Sequence, residues 1–257
     1  MELEHRYGPA LHVLHEPFLL SLLARIGAPE TRTADLPPLC RAAYARLTHA
    51  VLDACFPVEE ARVATRMAAT EPRGFYQGPR LSQTTRLVIC AVIRAGLLPA
   101  QTCYETACQV LPGENVRLDY LNMSRETDAA GRVTGVRIDG SKIGGPIDDA
   151  VVLIPDPMGA TGGTITRAVE TYRALGGRPR AVVAMHLMVT PEAVRNVLGS
   201  CPEVTVYTGR LDRGLSPDEV LATPPGTHPE RERGLNEVHY IVPGAGGMGE
   251  LLTNSWV

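Results

Sequence analysis

The run Val151-Val152-Leu153-Ile154-Pro155-Asp156-Pro157-Met158-Gly159-Ala160-Thr161-Gly162-Gly163-Thr164 carries the strongest chemical signal in the chain. A short apolar strand leads into an acid, then a loop of small residues, then a helix. Gly162 and Gly163 let backbone N–H groups approach a ligand unobstructed. The helix N-terminus adds its dipole, so the loop suits a phosphate dianion. Thr161 and Thr164 supply hydroxyl donors. No Lys follows the glycines, which separates this loop from the nucleoside-triphosphate P-loop. Asp156 cannot favour the phosphate itself. At a strand end it can accept hydrogen bonds from sugar hydroxyls, as the ribose-binding acid does in dinucleotide folds. One loop would then hold both ends of a ribose 5-phosphate.

A second glycine run, Gly244-Ala245-Gly246-Gly247-Met248-Gly249, fits G-x-G-x-x-G, and His239–Val242 before it reads as a strand. The dinucleotide reading fails for want of room. The chain ends at Val257, whereas that motif needs a helix, a second strand and an acid about 20 residues on. A loop whose backbone touches a ligand fits better.

These segments need a scaffold. Arg86–Ile93, Asn115–Met123, Ala150–Ile154, Ala181–Val189 and Val204–Tyr207 read as strands, mostly as continuous apolar runs. Between or before them, Leu36–Phe56, Leu97–Val110, Gly163–Leu175 and Pro191–Leu198 read as helices. Such alternation predicts an α/β fold with a parallel sheet covered by helices on both faces. Ligands bind beyond the carboxyl ends of its strands. Residues 1–35 give no clear pattern, and Glu71–Pro79 reads as a Gly- and Pro-rich loop. Ala129–Gly145, with five glycines, reads as a mobile loop or hairpin. Leu211–Leu235 reads as a surface insertion between Asp212-Arg213-Gly214-Leu215 and its near-copy Glu232-Arg233-Gly234-Leu235.

The 257 residues, 44% hydrophobic and 21% charged, suit one large globular domain. We divide it into an N-terminal helical region (1–85), a core (86–210), an insertion (211–233) and a terminal hood element (234–257). A formal net charge of −3 argues against a broad nucleic-acid footprint. None of the six cysteines forms a C-x-x-C pair, so packed, reduced thiols are expected rather than zinc. The opening Met1-Glu2-Leu3-Glu4-His5-Arg6 lacks the apolar core of a signal peptide. Leu87–Ala100 is broken by Arg94 and too short to span a membrane. A cytoplasmic protein without membrane or nucleic-acid partners is the expectation.

The loop from Asp156 to Thr164 resembles the phosphoribosyl diphosphate loop of uracil phosphoribosyltransferases. Three further segments agree in order. Ile93-Arg94-Ala95-Gly96-Leu97 resembles the family's pyrophosphate loop, and Met123-Ser124-Arg125-Glu126-Thr127 its second arginine segment. Gly234-Leu235-Asn236-Glu237 with Tyr240-Ile241-Val242-Pro243-Gly244 resembles its uracil-binding hood. The resemblance runs from about Arg86 to Leu252. It implies a type I phosphoribosyltransferase-like parallel sheet flanked by helices, with a small hood. It also implies formation of UMP and pyrophosphate from uracil and 5-phosphoribosyl 1-diphosphate, with Mg²⁺ as cofactor, by a homodimer or larger homo-oligomer. Arg94, Arg125 and Asp156 would be catalytic. The phosphoribosyl diphosphate would contact these three, Pro157 to Thr164, and position 247. Uracil would be read mainly by backbone groups at Ile241, Gly246, Gly247 and Met248. No residue is assigned as a protein ligand to metal.

The chain departs from the pattern at two places. Gly247 stands where the family has an aspartate facing the phosphoribosyl substrate, and Gly159 where it usually has Leu. A lost charge-assisted hydrogen bond removes about 1.5–3 kcal/mol, roughly 10- to 150-fold in binding or rate. Glu250 could substitute from a different position. If the chain is a weakened uracil enzyme, Gly247→Asp is expected to raise turnover. The alternatives are a non-catalytic ligand-binding member and an enzyme for another pyrimidine-like base.

Overall fold

Residues 1–127 and 133–255 are described by the computed structural model, without the side chains of 125–127 and 133–134. In chain order the elements are β1 (Leu11–Val13), α1 (Pro17–Gly27), α2 (Leu36–Cys55), β2 (Val58–Ala64), β3 (Phe75–Leu81), β4 (Leu87–Ile93), α3 (Leu97–Ala107), β5 (Val116–Thr127) and β6 (Val133–Lys142). They continue with β7 (Val151–Pro155), β8 (Met158–Gly159), α4 (Gly163–Ala174), β9 (Ala181–Val189), α5 (Pro191–Ser200), β10 (Val204–Leu211), α6 (Asp218–Leu221) and α7 (Met248–Thr253). The main sheet runs β1-β10-β9-β7-β4-β5-β6, with β8 beside β9. All its pairings are parallel except β5–β6.

The apolar runs read from the sequence fill the centre of this sheet, where both faces are covered. Along β4, Leu87, Ile89 and Ala91 join one core with α1, α2 and α3. Val88, Cys90 and Val92 join the other with α4 and α5. This is the period-2 alternation of a strand applied to two apolar layers. The cysteines fall in or beside these cores, all unpaired. Burial pushes the thiols of Cys40, Cys90 and Cys103 up to about 12, so they are protonated packing groups. Among the described residues no helix is long and apolar enough to cross a membrane.

Strand order positions the site. From β4 the chain moves outward to β5 and β6, then returns to the other side of β4 as β7. A crevice opens where the winding reverses, at the carboxyl ends of β4, β5 and β7. A buried ionic network braces one wall. Asp119 on β5, fully buried, accepts from Arg117 Nε and Nη2 at 2.9 and 3.0 Å, Tyr172 Oη at 2.9 Å and Gly144 N at 2.9 Å. It ties α4, which carries the phosphate loop, to the β5–β6 hairpin.

Several expectations change. Residues 1–35 contribute an edge strand and a helix, and Leu11, Val13, Leu19 and Leu23 are buried. The region before residue 86 is therefore not only helical. The Glu71–Pro79 stretch is not simply a loop, because Phe75–Leu81 pairs antiparallel with Val58–Ala64 as a separate two-stranded ribbon. Of the stretch read as a loop or hairpin, residues 133–142 form β6 against β5, and 129–132 lie outside the described residues.

The 211–235 segment, exposed along much of its length, is anchored from within. Glu232 is fully buried and accepts from Arg213 Nη1 at 3.2 Å, Tyr7 Oη at 2.8 Å and Gly226 N at 2.7 Å. Its two near-copies lie side by side, with Leu215 N donating to Arg233 O at 3.1 Å.

Candidate active site

The segments singled out by sequence meet in one cleft of roughly 570 Å³ at the crevice between β4, β5 and β7. Its walls include Arg94, Ser124, Asp156, Thr161, Ile241 and Gly247.

The phosphate loop is shaped from behind. Thr190, the N-cap of α5, donates from its N to Gly159 O at 3.0 Å and from its hydroxyl to Ala160 O at 2.6 Å. Asn196 Nδ2, on α5, donates to Thr161 O at 2.7 Å. With these carbonyls drawn toward α5, trans-peptide geometry turns the N–H groups of Thr161 and Gly162 the other way, toward the cleft. The first turn of α4 adds N–H groups without intrahelical acceptors. Gly162 has φ +81°, and a Cβ there would lie 2.8 Å from Val197 Cγ2 and 3.0 Å from Ala193 O, so only glycine fits. The Thr161 hydroxyl accepts from Gly163 N at 3.4 Å. This arrangement can hold a phosphate dianion.

Asp156 follows β7 at its carboxyl end. Its N donates to Met185 O at 3.0 Å, and its Oδ1 accepts from Met158 N at 3.3 Å. Its carbonyl faces His186 Nδ1 at 2.6 Å. His186 escaped the sequence reading because it sits inside the apolar run of β9 like a core residue. It lines the cleft floor and is 1% exposed. A Cβ on Gly159 would meet the ring at 3.1 Å and Val189 Cγ2 at 2.8 Å. The glycine in place of the family's usual Leu therefore makes room for an imidazole.

Burial pushes His186 below the ordinary histidine range, against the pull of Asp156, so the ring is neutral near pH 7. Because a carbonyl only accepts, Nδ1 carries the hydrogen and fixes the backbone at Asp156. The unfolded chain takes up a proton that the folded chain excludes. Stability is therefore expected to hold above the ordinary histidine range and to fall as pH drops below it, with a limiting slope of about 1.4 kcal/mol per pH unit. In denaturant melts at pH 7.5 and 5.5, the stability advantage of the parent over His186→Gln should shrink at the lower pH. An unchanged gap would mean that the ring is not excluding a proton.

Arg94 follows β4 across a cis Ile93–Arg94 peptide. Its Nη1 donates to Ser255 O at 2.9 Å and Ser255 Oγ at 3.2 Å, and its Nη2 lies 3.6 Å from Glu250 Oε1. Arg125 lies on β5 opposite Val136, and its side chain is outside the described residues. Nearby, Ser124 lines the cleft, and Asp139 on β6 pairs with Arg137 at 2.7 Å.

The hood is fastened by two carboxylates. Glu192, in the first turn of α5, accepts from Gly234 N at 3.0 Å, and Asp212 Oδ2 accepts from Gly244 N at 2.8 Å. Val242 N donates back to Gly234 O at 2.8 Å. Ile241, Gly246, Gly247 and Met248 consequently all line the cleft. His239 also lines it, with φ +60° and a buried Nδ1 that has no partner among the described residues; no sequence motif marks it. A Cβ built on Gly247 would overlap Glu250 Oε2. The aspartate of Gly247→Asp would stand against an existing carboxylate, which must swing aside to admit it.

Residues 13–227 match the sequence pattern of a family described as uracil phosphoribosyltransferase. The uracil phosphoribosyltransferase of Rhodococcus jostii is 25% identical over 242 residues, covering 94% of this chain and 97% of that one. That of Dictyostelium discoideum is 34% identical over 111 residues, 43% of this chain and 42% of that one. Among solved structures, the AQ2163 protein of Aquifex aeolicus gives a TM-score of 0.73 at 23% identity, covering 96% of this chain and 99% of that one, a likeness of fold. The family pattern takes in Arg94 and the whole Asp156–Thr164 loop and ends upstream of the hood. On the breadth of that match, the chain belongs to the uracil phosphoribosyltransferase family.

Proposed function

We propose that the cleft transfers the phosphoribosyl group of 5-phosphoribosyl 1-diphosphate to uracil, giving UMP and diphosphate. The observation that carries this reading is the convergence of phosphate loop, arginine and hood on a single cavity. The loop and the α4 N-terminus hold the 5-phosphate, and Asp156 accepts from the ribose hydroxyls. The bond from C1′ to the diphosphate oxygen breaks as the uracil nitrogen bonds to C1′, and the proton of that nitrogen leaves to the diphosphate or to water. Negative charge gathers on the leaving oxygens, where Arg94 and Arg125 stabilise it. Backbone groups at Ile241, Gly246 and Met248 read the base, so recognition does not depend on their side chains.

Among the described residues no three His, Cys, Asp or Glu side chains converge as a metal cage. Mg²⁺ is the cofactor this reading expects, and Asp156 would be the nearby protein oxygen donor. Such an ion would supply further neutralisation of the leaving group. The same reading makes the protein a cytoplasmic homo-oligomer. It is supported by the β2–β3 ribbon, where Val58, Val63 and Tyr76 are exposed and two strands alone are marginal in water.

The test is nucleotide formation from phosphoribosyl diphosphate and Mg²⁺ with uracil, thymine, cytosine and orotate in parallel. Uracil should be used well above the others. A preference for another base, or no nucleotide from any, would set the reading aside.

A further inference from the structure

Gly247 leaves a space that the flexible end of a neighbouring side chain occupies. Its φ of −81° and ψ of 85° avoid the left-handed region that favours glycine. The place a side chain would take is filled. A Cβ there would overlap Glu250 Oε2 and lie 3.6 Å from Tyr240 Oη. Residues 247 and 250 are three apart across the start of α7, so they face the same way. Glu250 in turn reaches back to Arg94 at 3.6 Å, with the two side chains 28% and 33% exposed, and both residues line the cleft. Ser255, just past the same helix, accepts from Arg94 Nη1.

We propose that Glu250 is a positioning residue for Arg94, and that the missing side chain at 247 is what lets its carboxylate stand there. A guanidinium has five N–H donors in a fixed plane. Gripping one edge by a carboxylate orients the remaining donors toward the diphosphate oxygens. The carboxylate also repels the diphosphate, so the sign of its effect is open to measurement, and the positioning role requires a net benefit. This inference rests on the assignment of Arg94 to the diphosphate in the function proposed above.

The experiment is a cycle of Gly247→Ala, Glu250→Ala and the double variant, with Gly247→Asp/Glu250→Ala as a carboxylate returned from the other position. Inorganic diphosphate with Mg²⁺ is titrated by calorimetry, and kcat/KM for phosphoribosyl diphosphate and KM for uracil are measured, after melts confirm folding. Each single alanine should weaken diphosphate binding and lower kcat/KM roughly two- to fivefold. Gly247→Ala should do so because its methyl displaces the carboxylate. The double variant should be no worse than either single one, KM for uracil should stay within about twofold, and the relocated carboxylate should recover most of the loss. Equal or tighter diphosphate binding by Glu250→Ala, additive losses, or a matching loss of uracil affinity would overturn the positioning role. A parent that binds diphosphate with this pattern but makes no UMP would overturn the function proposed above and leave Glu250 in place. A parent that binds no diphosphate would overturn both.

Discussion

Arg94→Ala is expected to lower kcat/KM for phosphoribosyl diphosphate by roughly 100- to 1,000-fold, the usual effect of removing a donor aimed at developing negative charge. KM for uracil should barely move, because the base is read by hood backbone that Arg94 does not form. Arg94→Lys should recover only part of the loss. Lys supplies a point charge, whereas the guanidinium pairs two oxygens at once and keeps further donors for Glu250 and Ser255. The kinetic signature is a loss in kcat together with kcat/KM, because the contact strengthens as the leaving group gathers charge. A fully active Arg94→Ala protein would remove this residue from the chemistry.

The second large effect is expected at Asp156. Asp156→Asn keeps the shape but exchanges one acceptor oxygen for a donor, where ribose hydroxyls need acceptors. The expected loss is about 10- to 150-fold in kcat/KM for phosphoribosyl diphosphate. Backbone position should be retained, since Met185 O and His186 Nδ1 hold the main chain rather than the carboxylate. Thr161→Val should have a smaller effect, on phosphate affinity, because the loop's N–H groups persist. Direct titration with ribose 5-phosphate tests both. Asp156→Asn and Thr161→Val should both weaken binding, and parental affinity in both variants would show that this loop is not the sugar-phosphate site.

The parts legible in the sequence are those whose signal is local. Val151–Pro155 and Ala181–Val189 announce themselves as buried strands because both faces of each are apolar. The Asp156–Thr164 loop is legible because acid, glycines, threonines and helix start are contiguous. β1 was missed because it has only three residues and gains its identity by pairing with β10, far along the chain. The β2–β3 ribbon was missed because Val58–Ala64 is mostly exposed and Phe75–Leu81 contains both Gly78 and Pro79, so neither carries a core alternation.

At the site, His186 was hidden among apolar neighbours and His239 sits next to Tyr240 without a motif of its own. The pairing of Glu250 with Arg94 joins a residue just after β4 to one in the terminal hood and is visible only in the folded chain. Within 211–235 the buried ion pair was equally hidden. Arg213 and Glu232, 19 residues apart, neutralise each other in the interior, which removes the usual reason for charged side chains to stay in water.

The most direct measurement follows UMP and diphosphate together in a reaction of the purified chain with uracil, phosphoribosyl diphosphate and Mg²⁺. Both products should appear one for one, and diphosphate release should stop when uracil is omitted, since a cleft built to join the base to ribose must exclude water. No UMP from folded protein, or diphosphate released at the same rate without uracil, would contradict the assignment.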